Sequence, residues 1–134
     1  MAKNLVLKGQ KPALSLPVPA ETRSGDPVIV GGIVGVAETD RTEVVSGVTY
    51  GAPGNPDGYA SVNVDGTFEV SVADAVTAAG TAIYIPSAGG ALTTTATDNV
   101  LFGHTVPVFL RGAATGATKA SGTGTVNVAL APTV

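Results

Sequence analysis

Residues Ser24 to Glu38, SGDPVIVGGIVGVAE, contain the feature that most narrows the folds open to this chain: two Val/Ile-rich runs meeting across Gly31-Gly32. A two-residue glycine link between such runs is a strong hairpin signal, because glycine supplies the positive φ that the favoured I′ and II′ turns require. The spacing pairs Val30 with Ile33, Ile29 with Val34 and Pro27 with Val36. Pro27 then falls at the start of its strand, where a missing N–H does least harm. Neither run alternates apolar with polar. Val28, Ile29, Val30, Ile33, Val34 and Val36 are therefore expected to be covered on both faces, as a core hairpin inside a barrel or as a surface under a second subunit.

The rest of the chain is punctuated in the same way. Ala13 to Val18 alternates until Pro17 and Pro19 stop it, as an edge strand does. Val44 to Tyr50 reads as one strand broken by Gly47, and Gly51 to Gly58, GAPGNPDG, as a surface loop. Tyr59 to Val64, Asp65-Gly66 and Thr67 to Val72 read as a second hairpin, with Val62, Val64, Phe68, Val70 and Val72 as one inward set of period two. Ala73 to Ala79 is the only stretch with helical character, two turns at most. Ala79 to Thr93 echoes the first hairpin, with Gly89-Gly90 answering Gly31-Gly32. Val100 to Leu110 and Thr123 to Leu130 read as closing strands, joined by a Gly/Ala/Thr/Ser loop from Gly112 to Gly124. The expected fold class is all-β: a small single-domain β-barrel or sandwich of about eight to ten short antiparallel strands, with an N-terminal arm over residues 1–12 and the β domain over 13–134.

Charge is scarce and unevenly spread. Charged residues are 13% of the chain against 44% apolar, and so sparse a surface is expected to be covered in part by copies of itself or by a partner. Lys3, Lys8, Lys11 and Arg23 stand in the first 23 residues with one acid, Glu21, whereas the remainder has three bases and nine acids. A basic arm on an acidic body is a poor footprint for nucleic acid. No run reaches the ~18 apolar residues of a membrane span, and the start has no apolar signal-peptide core. A soluble protein made in the cytoplasm is expected.

Catalytic groups are equally scarce. Without cysteine there is no disulfide framework or thiolate site, and the single histidine, His104, excludes a multi-histidine metal site within one chain. Asp57 and Asp65 precede glycine and Asp26 follows one, as turn aspartates do. No G-x-S-x-G elbow and no G-x-x-x-x-G-K-[ST] phosphate loop occurs. No enzyme, cofactor or metal is expected. A hydrolase built around His104 between subunits is the weakest of the rival readings.

The blocks SLPVPAETRSGDPVIVGGIVGVAET and AGTAIYIPSAGGALTTTATDNVLFG, with the opening MAKN and the final Val-rich strand, resemble the head decoration or capsid cement proteins of tailed phages, some once labelled RecA/RadA-type recombinases. Val45 to Asp74 looks longer than in compact members of that family. A recombinase would need the phosphate loop that is absent here. The resemblance implies a β-rich virion protein on the outer capsid surface, trimeric, holding neighbouring major capsid subunits together. On that reading Lys3, Asn4, Leu5, Val6, Leu7, Lys8 and Lys11 form a capsid-contacting arm. The alternative is a display module that binds a host surface or glycan through Gly51 to Gly58 and the longer Val45 to Asp74 middle.

Overall fold

The computed structural model describes residues 13–110, 112–122 and 124–131. In chain order its strands are β1 (Leu14–Pro17), β2 (Pro27–Val30), β3 (Ile33–Ala37), β4 (Glu43–Val45), β5 (Val48–Tyr50), β6 (Tyr59–Asn63), β7 (Thr67–Ser71), β8 (Ala82–Pro86), β9 (Asn99–Thr105), β10 (Val108–Leu110), β11 (Ala113–Thr115) and β12 (Thr125–Leu130). They form two four-stranded sheets, ordered β1-β6-β3-β2 and β7-β12-β9-β8, and two ribbons, β4-β5 and β10-β11. The paired strands run antiparallel, and no helix occurs among the described residues. The fold is all-β, as expected.

The β2-β3 hairpin has the register expected from its glycines: Val30 opposite Ile33, Ile29 opposite Val34, Pro27 opposite Val36. Gly31 has φ +60° and Gly32 does not share a positive φ, the pattern of a II′ turn. Both faces of this hairpin are covered within the chain. Ile29, Val34 and Val36 join the main core with Val70, Val72, Val76, Ile83, Ile85, Leu92, Phe102, Val126 and Val128, between the two sheets. Val28, with the half-buried Val30 and Ile33, turns the other way into a second cluster built on Val18, Ala60, Val62 and Val64. Two cores explain why the runs do not alternate: every position has an apolar side to face.

Several local expectations give way to this two-core arrangement. The hairpin expected across Asp65-Gly66 does not form: β6 pairs with β1 and β3, whereas β7 pairs with β12 in the other sheet. Asp65 lacks the positive φ of a I′ turn, and its Oδ1 accepts from the Gly66 N–H at 2.9 Å. The expected single inward set is thus divided, with Val62 and Val64 in the second cluster and Phe68, Val70 and Val72 in or against the main core. Asp65-Gly66 is a crossing between sheets.

Ala73 to Ala79 is not helical. Val76, 1% exposed, enters the main core and exchanges two 2.9 Å backbone bonds with Lys119, a long-range pairing that seven residues of helix cannot match. Val44 to Tyr50 is not one strand but a ribbon, because Ser46 (φ +49°) and Gly47 (φ +80°) make a two-residue turn of I′ pattern. Val100 to Leu110 likewise divides at Val106-Pro107, and part of the expected Gly112–Gly124 loop is strand β11, paired with β10. Ala79 to Thr93 does not repeat the first hairpin. Its strand β8 pairs mainly with β9, and only Tyr84 and Thr93 bridge back across Gly89-Gly90.

Candidate interaction surface

The arm residues Lys3, Asn4, Leu5, Val6, Leu7, Lys8 and Lys11 lie outside the described residues. The hairpin residues Val28, Ile29, Val30, Ile33, Val34 and Val36 lie in the two clusters described above, with Val30 and Ile33 half-buried. His104 is an exposed position of β9, opposite Ala82 and Ala129. Among the described residues no three His, Cys, Asp or Glu side chains stand close enough to hold a metal ion, and no helix is long and apolar enough to cross a membrane.

Among the described residues four large apolar side chains are instead presented outward. Val44 and Val48 are 67% and 51% exposed on the β4-β5 ribbon, and Val108 and Phe109 are 46% and 72% exposed on β10. Both ribbons are two-stranded, and neither belongs to a four-stranded sheet. Isolated ribbons of this size are marginal in water, so each depends on what anchors its base.

At the base of β4-β5 that anchor is ionic. Glu43 accepts from Arg23 Nη1 at 2.8 Å through Oε1 and from Arg41 Nη1 through Oε2. The Glu21 backbone N–H also donates to Oε1, at 2.9 Å. Arg23 spreads its guanidinium over the Tyr50 ring, 3.6 Å from the centroid, and Tyr50 is the residue opposite Glu43 in the ribbon. The Arg23 hydrogen bond is the main reason the Glu43 carboxyl is held below its ordinary range, with Arg41 and the Glu21 N–H adding to it. Arg23 and the Glu21 N–H therefore tie the ribbon to the β1-β2 connection, and Arg41 adds a second cation from the segment just before β4.

A second polar centre orders the loops over the main core. Asp74 Oδ2 accepts from the Thr94 N–H at 2.9 Å and from the Thr93 and Thr94 hydroxyls at 2.8 and 3.3 Å, which lowers the Asp74 pKa, the backbone bond most of all. Lys119 Nζ donates to the carbonyls of Asp74, Ala120 and Gly122 at 3.0, 2.6 and 2.9 Å. Three loops meet there. The Thr-Thr-Thr run at 93–95 was the only sequence trace of this centre, and nothing local connects it to Asp74 or Lys119.

The edges of the two sheets leave a cleft of about 540 Å3. It is lined by Pro27, Val28 and Ile29 of β2, by Glu69, Val70 and Ser71 of β7, and by Pro19–Thr22, Gly25-Asp26, Gly89–Leu92 and Thr125. Its charged residues are Glu21, Asp26 and Glu69, all acidic. Sequence reasoning missed this cleft, because β2 and β7 meet only through the pairing of the sheets.

A protein-family model described as phage cement protein matches residues 8–130. No curated protein matches the chain, and no solved structure matches it.

Proposed function

We propose, from the premise that this chain belongs to the phage cement protein family, that it coats the outer surface of a phage head, contacts the major capsid protein and stabilises the junctions between capsid subunits. Membership supports a capsid decoration role and a virion location, as a structural protein rather than an enzyme. The match over residues 8–130 is the observation that carries the reading.

The surface described above agrees with it. Phe109, Val108, Val44 and Val48 would supply apolar contact on the capsid, where burying one such side chain is worth about 1.5–3 kcal/mol. A few contacts of that size per copy make weak binding, and a trimer would multiply them through effective concentration. The low charged share, 13%, is what a surface covered in part by other subunits tolerates.

The test is the copy number of this chain in purified virions, measured by quantitative mass spectrometry against the major capsid protein. A ratio near one to one is expected. Absence from the virion, or a few copies per hundred capsid subunits, would overturn the reading.

A further inference from the structure

The cleft between β2 and β7 is flanked by two strand edges, one from each sheet. β2 ends the order β1-β6-β3-β2 and β7 ends the order β7-β12-β9-β8. Val30 and Ile33 flank the two-residue turn and so form a hydrogen-bonded pair. By the alternation of an antiparallel ladder Ile29, opposite Val34, then directs its N–H and C=O away from β3. Pro27 has the same outward phase and no N–H to offer. The volume, about 540 Å3, is within the ~300–1,000 Å3 range in which proteins enclose a ligand. The site is a slot of mixed lining, with outward strand hydrogen-bonding groups on β2, Gly89-Gly90 among its residues and the carboxylates of Glu21, Asp26 and Glu69 in its lining.

We propose that this cleft takes the N-terminal arm of a second copy of this chain, bound as an extended segment. Residues 3–8, KNLVLK, have the required chemistry: an apolar triplet, Leu5-Val6-Leu7, between two lysines, with Lys11 following and no acid anywhere in residues 1–12. The triplet lies in the slot against Pro19, Pro27 and Ala91, the less buried apolar residues of its lining, its backbone pairs with the β2 edge, which no described strand covers, and the lysines meet Glu21, Asp26 and Glu69. The scarcity of charge, 13% of the chain, favours a second copy, because a surface so poor in charge is one that copies of the chain cover. β1, which the arm enters, is on the opposite edge of its sheet from β2, three strand spacings or about 14 Å away. The five residues from Lys8 to Ala13 reach about 17 Å fully extended, so the chain's own arm is the competing occupant that the test below separates. The inference bears on the trimer proposed above, but its test needs no capsid, so its failure leaves the decoration reading untouched.

The chain has no cysteine, which makes disulfide trapping clean. Full-length Val6→Cys and a mass-tagged full-length Ser71→Cys would be mixed and oxidised gently, with Ala91→Cys as a second cleft position and Val44→Cys as an exposed position elsewhere. A mixed Val6–Ser71 or Val6–Ala91 disulfide dimer is expected to form faster than the Val6–Val44 dimer, and Glu69→Lys should slow it about threefold to fivefold. Equal trapping at Val44→Cys would overturn the proposal. So would a bond that forms only within a single chain bearing Val6→Cys and Ser71→Cys, which assigns the cleft to the chain's own arm, or no bond at either cleft position, which leaves the arm for the capsid.

Discussion

Arg23 reaches Glu43 at 2.8 Å from twenty positions earlier in the chain, and this ion pair fastens the β4-β5 ribbon to the connection between β1 and β2. Val44 is next to Glu43 in β4 and points outward, so an internal charge pair sets the position of an exposed apolar residue. Replacing Glu43 with Gln leaves two guanidinium groups without their shared anion. Limited proteolysis at Ser46-Gly47 should accelerate in Glu43→Gln while cleavage elsewhere is unchanged. Unaltered cleavage would show that the ribbon is held by other means.

Acid should loosen the molecule in a defined window. Glu43 and Asp74 both have folded-state pKa values below their ordinary 4.5 and 3.8. A lowered folded pKa contributes stability that is complete above the unfolded value and is lost as pH falls through the folded one. The melting temperature is therefore expected to hold level above about pH 5 and to decline below pH 4.5, and the Glu43→Gln, Asp74→Asn double variant should melt lower at pH 7 with a flatter acid limb. Parallel acid limbs in the two proteins would assign the effect to other carboxylates.

Phe102 and Phe109 test burial against exposure. Phe102 is fully buried in the main core, and Phe102→Ala should cost about 3–5 kcal/mol in denaturant unfolding. Phe109 is 72% exposed, and Phe109→Ser should shift stability by no more than about 0.5 kcal/mol. Only Phe109→Ser should weaken binding to heads that lack this protein. Full binding by that variant would remove β10 from the proposed capsid contact.

Gly103 marks a close approach of backbones. A methyl group there would run into the Ala129 carbonyl of β12, on the strand that joins β9 to β7. Gly103→Ala should therefore destabilise by about 1–3 kcal/mol, although alanine is ordinarily no worse than glycine in a strand. A neutral result by chemical denaturation would mean that β9 and β12 separate without penalty.

Two-residue turns were legible where the turn chemistry and the flanking pattern agreed. Gly31-Gly32 predicted a hairpin and its register, because a positive φ at one position and Val/Ile on both sides leave few other pairings. Asp65-Gly66 carried an equally strong signal and failed. The period of two around it is satisfied just as well when Val62 faces one core and Val70 another. Gly47 marks a break in Val44 to Tyr50, but strands of three residues on either side are too short for their pattern to show a hairpin turning at Ser46-Gly47.

What the amino-acid order determined unaided is therefore the all-β class, the β2-β3 hairpin with apolar residues on both faces, the scarcity of charge and catalytic groups, and the blocks that mark the family. These depend on composition and on contacts between near neighbours. The tertiary structure decided which sheet each strand joined, whether Ala73–Ala79 became a helix, and where the β2 and β7 edges met. Those outcomes depend on contacts such as Val76 with Lys119 and Asp74 with Thr94, whose partners are distant along the chain. Their free energy exists only once both sheets are assembled, so no local pattern announces them.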